Sequence, residues 1–312
     1  LNQNQDKPLS HEMLRIVTAT HHDPFEVLGR HLLPTTTATT DTVIRVYLPG
    51  ARNASLLINQ QVHAFKRLEG TDFFEWYGLG ETLPRHYQVQ WFDRHNVMHT
   101  EYDPYAFAPL LGDIDMHLFA EGQHWNIYQH LGAHFRNVDG IEGVLFATWA
   151  PNAERISIVG DFNDWDGRHH PMRVRGSSGL WEVFIPGVKP DALYKFEIRN
   201  RATGAVFLKS DPYGQAFELR PQTSSIIKPA STYIWRDGDW IDKRSHWDWQ
   251  ASPMSVYEVH LGSWRRGWAG EFMSYRDLAH QLVDYIRPLG FTHIEVLPIS
   301  EHPLDDSWGY QT

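Results

Sequence analysis

The sequence predicts a multidomain chain in which two consecutive antiparallel β-sandwiches precede a strand–helix–strand segment of a parallel α/β domain. Two observations predict this order. A set of strand and turn motifs occurs twice, about 105 residues apart. After Pro253 the short alternating strands give way to a strand–helix–strand pattern. The predicted domains are residues 1–120, with a short leading helix, residues 121–232, and residues 233–312.

Composition narrows the functional class. The chain has 312 residues, of which 42% are hydrophobic and 21% charged, as in ordinary globular domains. It carries 28 basic and 38 acidic residues, a net charge of −10, which argues against general binding of nucleic acid. No apolar run reaches the ~18 residues of a membrane span, and the polar N-terminus lacks a signal-peptide core. We therefore expect neither a nucleic-acid nor a membrane partner. We also expect a monomer.

Cysteine is absent from the sequence. Its absence excludes a disulfide scaffold, a thiolate nucleophile and a zinc site built on cysteines. It also fits a cytoplasmic location, because structural disulfides belong mainly to oxidising compartments.

The internal repeat defines the two sandwiches. Residues 43–57 and 144–159 both show an alternating strand, a turn centred on proline and a second strand. The tripeptide Asp103-Pro104-Tyr105 returns as Asp211-Pro212-Tyr213. Two further pairs of segments, 74–76 with 181–183 and 86–93 with 193–200, lie between these. Because the four landmarks keep the same order, we predict two immunoglobulin-like sandwiches of short strands between Gly and Pro turns.

The remaining elements are predicted from caps and periodicity. A short helix should span residues 10–20, with Ser10 as its cap and Leu14, Val17 and Met13 on its apolar face. After Pro253, strands are predicted over 254–261 and 292–297. A helix is predicted over 274–287, with Leu278, Leu282 and Tyr285 on its apolar face. A helix between two strands implies parallel pairing. Since both faces of a parallel sheet are normally covered, we expect a larger α/β domain here.

Aromatic residues are the most informative candidates for binding. The chain has 13 Trp, and Trp165 lies in the Asn-, Asp- and Gly-rich segment 161–167, which predicts an exposed loop. An exposed indole can lie against the flat C–H face of a sugar. Lys195 and Lys209 are candidate donors to sugar hydroxyls. Trp181 is a weaker candidate, because its strand position also suits the core.

The second group of candidates follows the last predicted strand. Glu301 and His302 lie directly after it, and Trp308 and Tyr310 flank Gly309, which suggests a bend that presents Tyr310. One loop carboxylate is a candidate acid but does not make a glycosidase, which needs two carboxylates in opposed roles. The histidines show no metal-ligand spacing, so we expect neither a metal nor a cofactor.

Several long motifs closely resemble bacterial 1,4-α-glucan (glycogen) branching enzymes of the α-amylase superfamily. The resemblance covers the chain from about Leu14 onward. It rests on DPFEVLG (23–29), WAPNAERISIVGDFNDWDGRHHPM (149–172), LYKFEI (193–198), LKSDPY (208–213), SVYEVHLGSW (255–264), LGFTHIEVLPISEHP (289–303) and SWGYQT (307–312).

The resemblance implies an N-terminal sandwich, a glycogen-binding sandwich and the first two strands of a (β/α)8 TIM barrel. It implies an enzyme of glycogen biosynthesis that cleaves α-1,4 links through a covalent glucosyl-enzyme and re-forms them as α-1,6 branches. Tyr310 matches the family tyrosine that stacks on the sugar, and Trp165 and Lys195 match positions of the glycogen-binding module. Glu301 and His302 match a loop without an assigned role. The catalytic triad should follow Thr312, so we expect the 312-residue segment alone to be inactive.

Two alternatives remain open from the sequence. Debranching or trehalose-releasing hydrolases of the same superfamily also carry such a sandwich, but usually one rather than two. A non-catalytic glucan-binding protein would belong to a different functional class. In each case the expected ligand is an α-glucan.

Overall fold

The computed structural model describes residues 9–34, 40–302, 304 and 306–311. Residues 1–8, part of the N-terminal segment used to predict location, lie outside the described residues. The chain divides into two compact units, one of residues up to 218 with 223–230, the other of 219–222 with 231–312. No described helix has the length and apolar character that crossing a bilayer demands.

The first unit begins with α1 (His11–Val17), whose cap is Ser10: the Met13 N–H donates to Ser10 Oγ at 3.2 Å. The cap and the burial of Met13 were predicted correctly, but the rest of the apolar face was not. Met13 and Ile16 are buried, whereas Leu14 and Val17 are exposed.

Two antiparallel four-stranded sheets follow and enclose the first core; we call them the first sheet pair. One has the order β1-β2-β6-β5 and the other β4-β3-β7-β8. Their bounds are β1 (Gly29–Leu32), β2 (Thr42–Tyr47), β3 (Asn53–Ile58), β4 (Gln61–Ala64), β5 (Lys66–Arg67), β6 (Phe73–Gly78), β7 (Gln88–Phe92) and β8 (Met98–Tyr102). Every second residue faces this core, as in Ala54, Leu56 and Ile58 of β3.

A connection containing α2 (Asp113–Ala120) leads to the second sheet pair. The buried carboxylate of Glu182 accepts hydrogen bonds from the backbone N–H groups of Leu110 and Leu111, both at 3.0 Å. It also pairs with the Arg175 guanidinium. The connection is therefore tied to the second sheet pair by a buried, charge-assisted contact.

The second sheet pair is again antiparallel, with the orders β12-β13-β10-β9 and β11-β14-β15, and β16 pairing with β14. The bounds are β9 (Gly132–Val138), β10 (Ile141–Trp149), β11 (Ala153–Gly160), β12 (Arg173–Val174), β13 (Leu180–Pro186), β14 (Leu193–Asn200), β15 (Val206–Lys209) and β16 (Ser225–Ile226). Both sheets contribute to one core, which contains Phe146, Ile158 and Phe196.

The repeated Asp-Pro-Tyr motif forms the same contact in both sheet pairs. Tyr87 Oη donates to Asp103 Oδ2 at 2.7 Å, and Tyr194 Oη donates to Asp211 Oδ2 at 2.5 Å. Each aspartate also accepts the backbone N–H two residues later, at Tyr105 and at Tyr213. Burial raises the pKa of both carboxyls to about 6. The sequence repeat is thus a structural repeat.

The second unit contains the predicted parallel pair. Its elements are α3 (Gly238–Ser245), β17 (Val256–Val259), α4 (Leu261–Trp264), α5 (Tyr275–Ile286) and β18 (His293–Val296). β17 and β18 run parallel, with Val256 opposite His293 and Val259 opposite Val296. Leu278 and Leu282 of α5 are buried as expected, but Ile286 rather than Tyr285 completes the buried face.

Asp211→Asn should remove a pH dependence from the stability of the first unit. Because burial raises the pKa of Asp211 to about 6, from 3.8, the folded state holds the proton more tightly than the unfolded chain. The carboxyl therefore favours folding below about pH 4, and this contribution is lost as the pH rises through about 6. The variant lacks this loss. As the pH rises from about 4 to 7, the free energy of unfolding of the variant should therefore increase relative to that of the original chain by up to about 3 kcal/mol.

Urea unfolding at four pH values measures this difference. Asp103→Asn should behave in the same way, because its carboxyl has the same surroundings. Glu69→Gln, at an exposed position, is the matched control and should give no pH-dependent difference. A pH-independent offset for Asp211→Asn would contradict the raised pKa.

Candidate functional site

The candidate site is built on the loop that follows β11, residues 161–172. It starts with a 3₁₀ turn, Asp161–Asn163, and continues through two left-handed residues, Asp164 (φ 54°) and Trp165 (φ 59°). Left-handed backbone is unfavourable for a tryptophan. The Trp165 N–H donates to the Gly160 carbonyl at 3.1 Å, which fixes this turn.

A buried polar pair holds the start of the loop. Asn163 Oδ1 accepts the Gly160 N–H at 2.9 Å, and its amide nitrogen donates to the Ile158 carbonyl at 2.9 Å. The same amide lies 2.8 Å from His170 Nδ1. Burial lowers the pKa of His170 to about 3, so the ring is neutral near pH 7 and can accept this hydrogen bond. Both ends of the loop are thereby joined.

A second set of contacts holds the middle of the loop against the sheet. The Gly167 carbonyl accepts hydrogen bonds from the Arg155 guanidinium and from Ser157 Oγ. Arg155 also pairs with Glu197 at 2.8 Å. A Cβ at position 167 would lie 2.2 Å from Glu197 Oε1, so a larger residue there would displace the Glu197 carboxylate. The loop therefore covers the face of β11 and β14 that points away from the core.

Trp165 is 37% exposed, and its indole is oriented by a hydrogen bond. Nε1 donates to Asp161 Oδ1 at 3.2 Å, while Asp161 Oδ2 accepts the Leu193 N–H at 3.0 Å. One carboxylate thus links the indole to the first residue of β14. Part of the ring stays open to solvent, as the loop composition predicted.

Lys195 lies two residues further along β14. It pairs in register with Val159, next to the Gly160–Tyr194 pair at the base of the loop. Lys195 Nζ donates to Thr223 Oγ1 at 2.8 Å. The structure therefore brings two of the predicted residues, Trp165 and Lys195, to the same end of the sheet.

Two further residues of this face were missed by the sequence analysis. Leu208 pairs in register with Glu197, so it shares the outward face of Lys195, and it is 54% exposed. Thr223 is the hydrogen-bond partner of Lys195. The sequence signal for Leu208 was weak, because it lies in the apolar run Val206-Phe207-Leu208. Thr223 had none, since it depends on a contact 28 residues away.

The prediction of a binding role is wrong for Trp181, whereas for Lys209 it stays a prediction. Trp181 is 1% exposed, belongs to the core of the second sheet pair, and donates its indole N–H to the Ala150 carbonyl at 3.1 Å. It has no free face for a ligand. Lys209 pairs in register with Phe196, a core residue, so it leaves the sheet on the opposite face from Lys195. Its Nζ lies 5.9 Å from the Phe207 ring.

In the second unit, the remaining candidates lie in the described part of the chain after β18. Trp308 and Tyr310 are exposed, Tyr310 by 70%, and Gly309 between them has φ 89°. A Cβ at Gly309 would lie 3.0 Å from His302 Nδ1, so the bend packs against His302. Glu301 is exposed. The predicted bend is therefore confirmed, whereas a binding role for these four residues stays a prediction.

His302 also lines a cavity of about 170 Å³ in this unit. Its other walls include His260–Gly262, directly after β17, and Pro298–Ile299, shortly after β18. The carboxyl ends of the two parallel strands therefore meet at one small cavity, the end at which parallel α/β domains carry their ligands.

Among the described residues, two separate clusters of His and carboxylate side chains each bring their ligand atoms close enough together to hold one metal ion. In the first, His21 Nδ1 accepts the Asp23 N–H at 3.1 Å, which leaves the proton of a neutral ring on the Nε2 that faces Glu12. That tautomer does not suit a metal. In the second, Asp115 Oδ1 lies 2.8 Å from His124 Nε2 and 3.5 Å from His130 Nε2, as in an ordinary ion pair.

Two family profiles match separate parts of the first unit. Residues 10–105 match the N-terminal domain of alpha-1,4-glucan branching enzyme GlgB. Residues 130–214 match carbohydrate-binding module 48, the isoamylase N-terminal domain. The second match contains Trp165, Lys195 and Leu208, so these three residues lie in the segment that is similar to a carbohydrate-binding module.

Whole-chain similarity extends beyond these two segments. The chain is 74% identical to the 1,4-alpha-glucan branching enzyme GlgB of Cellvibrio japonicus. The alignment covers the full length of this chain and 43% of that protein. It is 56% identical over 97% of its length to 40% of the GlgB of Methylococcus capsulatus. The chain thus spans about two fifths of the length of these relatives.

Among solved structures, ligand-free PulA from Klebsiella pneumoniae is similar over 88% of this chain and 29% of that chain, at 16% identity and a TM-score of 0.41. This similarity is weak, and the sequence relatives are much nearer. Over its whole length, the chain corresponds to the N-terminal region of the GlgB 1,4-alpha-glucan branching enzymes.

Proposed function

We propose that this chain is the glucan-binding N-terminal part of a 1,4-α-glucan branching enzyme of glycogen biosynthesis. The complete enzyme would cleave an α-1,4 link through a covalent glucosyl-enzyme intermediate and transfer the cut chain to a 6-hydroxyl. The observation that carries the proposal is the placement of Trp165 and Lys195 at the same end of the second sheet pair, inside the segment that matches carbohydrate-binding module 48. The names of the relatives support the reaction.

The outward face of the second sheet pair suits a glucan for three physical reasons. The exposed part of the Trp165 indole is flat and apolar, as is the C–H face of a glucosyl ring. Lys195 and Thr223 offer a cationic donor and a hydroxyl to sugar hydroxyls. The indole is held by Asp161 before any ligand arrives, which reduces the entropy lost on binding.

Catalysis belongs, in this proposal, to the part of the enzyme outside the chain. Glycosyl transfer through a covalent intermediate uses two carboxylates in opposed roles. Since the chain spans about two fifths of its relatives, we assign the nucleophile and the acid/base to the remainder. The 312-residue segment would then bind glucan without turnover and without a cofactor.

The architecture we propose follows the same division. The two sheet pairs are immunoglobulin-like sandwiches, and β17, α5 and β18 are the first βαβ unit of a (β/α)8 barrel. The parallel register of β17 and β18 supports this assignment, because consecutive strands of such a barrel pair in parallel. The domain boundaries near 120 and 232 and a monomeric state are part of the proposal. The absence of cysteine supports a cytoplasmic location.

Trp165→Ala should weaken glucan binding. We expect the chain to bind weakly, with a Kd of about 10⁻⁴ to 10⁻³ M, because one or two stacked rings make a small contact. Loss of the indole should raise the apparent Kd at least about fivefold, by analogy with base–aromatic stacking of roughly 1–3 kcal/mol. The apparent Kd is measured by electrophoresis in gels of increasing glycogen concentration, in which binding retards the protein. Lys195→Met should weaken retardation in the same direction.

Trp125→Ala is the matched control, since Trp125 is 87% exposed but lies outside the site. Its retardation should equal that of the original chain. Equal retardation of Trp165→Ala and the original chain would place glycogen binding elsewhere and contradict the proposal.

Tyr310 should act as a sugar platform in the complete enzyme. Its ring is exposed beyond β18, on the bend at Gly309. If the ring supports the glucose at the cleaved bond, Tyr310→Ala should lower kcat/KM by about 5- to 150-fold. Tyr310→Phe keeps the ring and should cost much less. Branching activity is measured well below the Tm of each variant, so that unfolding does not contribute. A folded Tyr310→Ala enzyme with near-normal kcat/KM would exclude this role.

A further inference from the structure

We propose a second α-glucan site within the first unit. It lies in the cleft between the first sheet pair and residues 162–170 of the loop that follows β11 in the second sheet pair. It takes a linear 1,4-linked oligosaccharide and uses Trp91 and His99 as its platform. This inference rests on the proposed function for its ligand class but uses different residues from the Trp165 site. We call it the inter-sheet cleft.

The cleft has the size of a small-molecule site. Its volume is about 750 Å³, within the range of 300–1,000 Å³ typical of ligand pockets. One wall is the end of β2 with its following turn, together with β7 and β8; the other is the loop from Phe162 to His170. The segment matching carbohydrate-binding module 48 therefore supplies one wall, and the segment matching the GlgB N-terminal domain supplies the other.

An aromatic pair lies on the β7–β8 wall. Trp91 and His99 are directly opposite in register, and their rings are stacked with centroids 5.1 Å apart and planes 14° apart. Both side chains are half-buried and line the cleft. The stacked pair offers the cleft an aromatic surface of the kind that sugar rings pack against.

The polar groups of the cleft favour a neutral polyhydroxy ligand. Carboxylates of Asp93, Glu101, Asp164 and Asp166 line it, against the guanidinium groups of Arg94 and Arg168. Asp93 is fixed by the N–H groups of His95 and Val97, both at 2.8 Å. The excess of carboxylates disfavours phosphates and other anions, whereas oriented carboxylates accept hydrogen bonds from sugar hydroxyls.

The two walls are held together before any ligand binds. Tyr105 Oη lies 3.3 Å from the carbonyls of His169 and Pro171, so the segment after β8 is attached to the base of the loop. Asn163 and His170 fix the loop from inside, as described above. A preformed cleft loses little entropy on binding.

One loop serves both sites, because its backbone sends neighbouring side chains in different directions. Asp164 lines the cleft, whereas Trp165, the next residue, does not. Both are left-handed. A glucan chain bound in the cleft would therefore be a second chain or a second segment, separate from the one at Trp165.

The test uses the 312-residue chain labelled with 5-fluorotryptophan and titrated with maltoheptaose. The ¹⁹F resonance of Trp91 is assigned by its loss in Trp91→Phe, which keeps a ring in the core. In a Trp165→Ala background, which removes the other site, the Trp91 resonance should still shift with saturation. A Trp91 resonance that stays unmoved up to about 20 mM maltoheptaose would overturn the proposal.

Binding measured by calorimetry in the same background provides the second readout. Trp91→Ala should weaken the remaining affinity at least about tenfold, and Trp91→Phe should stay within about twofold. If Trp91→Ala does not fold, the ¹⁹F titration of Trp91 in the Trp165→Ala chain is the deciding measurement. The two proposals can fail independently. A shift of the Trp91 resonance would support the inter-sheet cleft, while unchanged glycogen retardation of Trp165→Ala would contradict the site at Trp165.

Discussion

The structure of the binding region depends on one interaction, the hydrogen bonds that Arg155 and Ser157 give to the Gly167 carbonyl. These side chains leave β11 on the face away from the core, where a buried guanidinium needs partners. Glu197 and the loop backbone supply them. The loop is thereby held against the sheet, which places Trp165 at the start of β14 and makes residues 162–170 a wall of the inter-sheet cleft.

The duplicated Tyr–Asp contact gives both sheet pairs the same closing corner. In each, a buried aspartate accepts a tyrosine hydroxyl from a central strand and a backbone N–H from its own turn. Equivalent corners with different loops allow the two sheet pairs to diverge in function. The first has the short turn at Asn59 and Gln60 where the second has the loop carrying Trp165. Binding chemistry thus follows the loops, while the corners preserve the fold.

The second unit follows a different principle. Few of its described hydrophobic residues are buried, namely Val259 of β17 and Leu278, Leu282 and Ile286 of α5, and many of its large apolar side chains are exposed. Parallel strands are normally covered on both faces. The proposed barrel accounts for this exposure, because the strands and helices contributed by the remaining three fifths of the enzyme would cover these surfaces. The glucan binding that we propose for the first unit does not require them.

The sequence by itself determined the repeat, the order of strands, the parallel pair after Pro253 and the loop that carries Trp165, because turns, caps and periodicity are local properties. It did not determine which face of a strand is buried. The alternation of side chains along β13, β14 and β15 sorts the residues into two faces but does not show which face is buried. Trp181 was therefore proposed for a ligand although it lies in the core, and Lys209 was grouped with Lys195 although the register places them on opposite faces. Thr223, Leu208 and the cleft at Trp91 arise from contacts between distant segments, which only the packed tertiary structure decides.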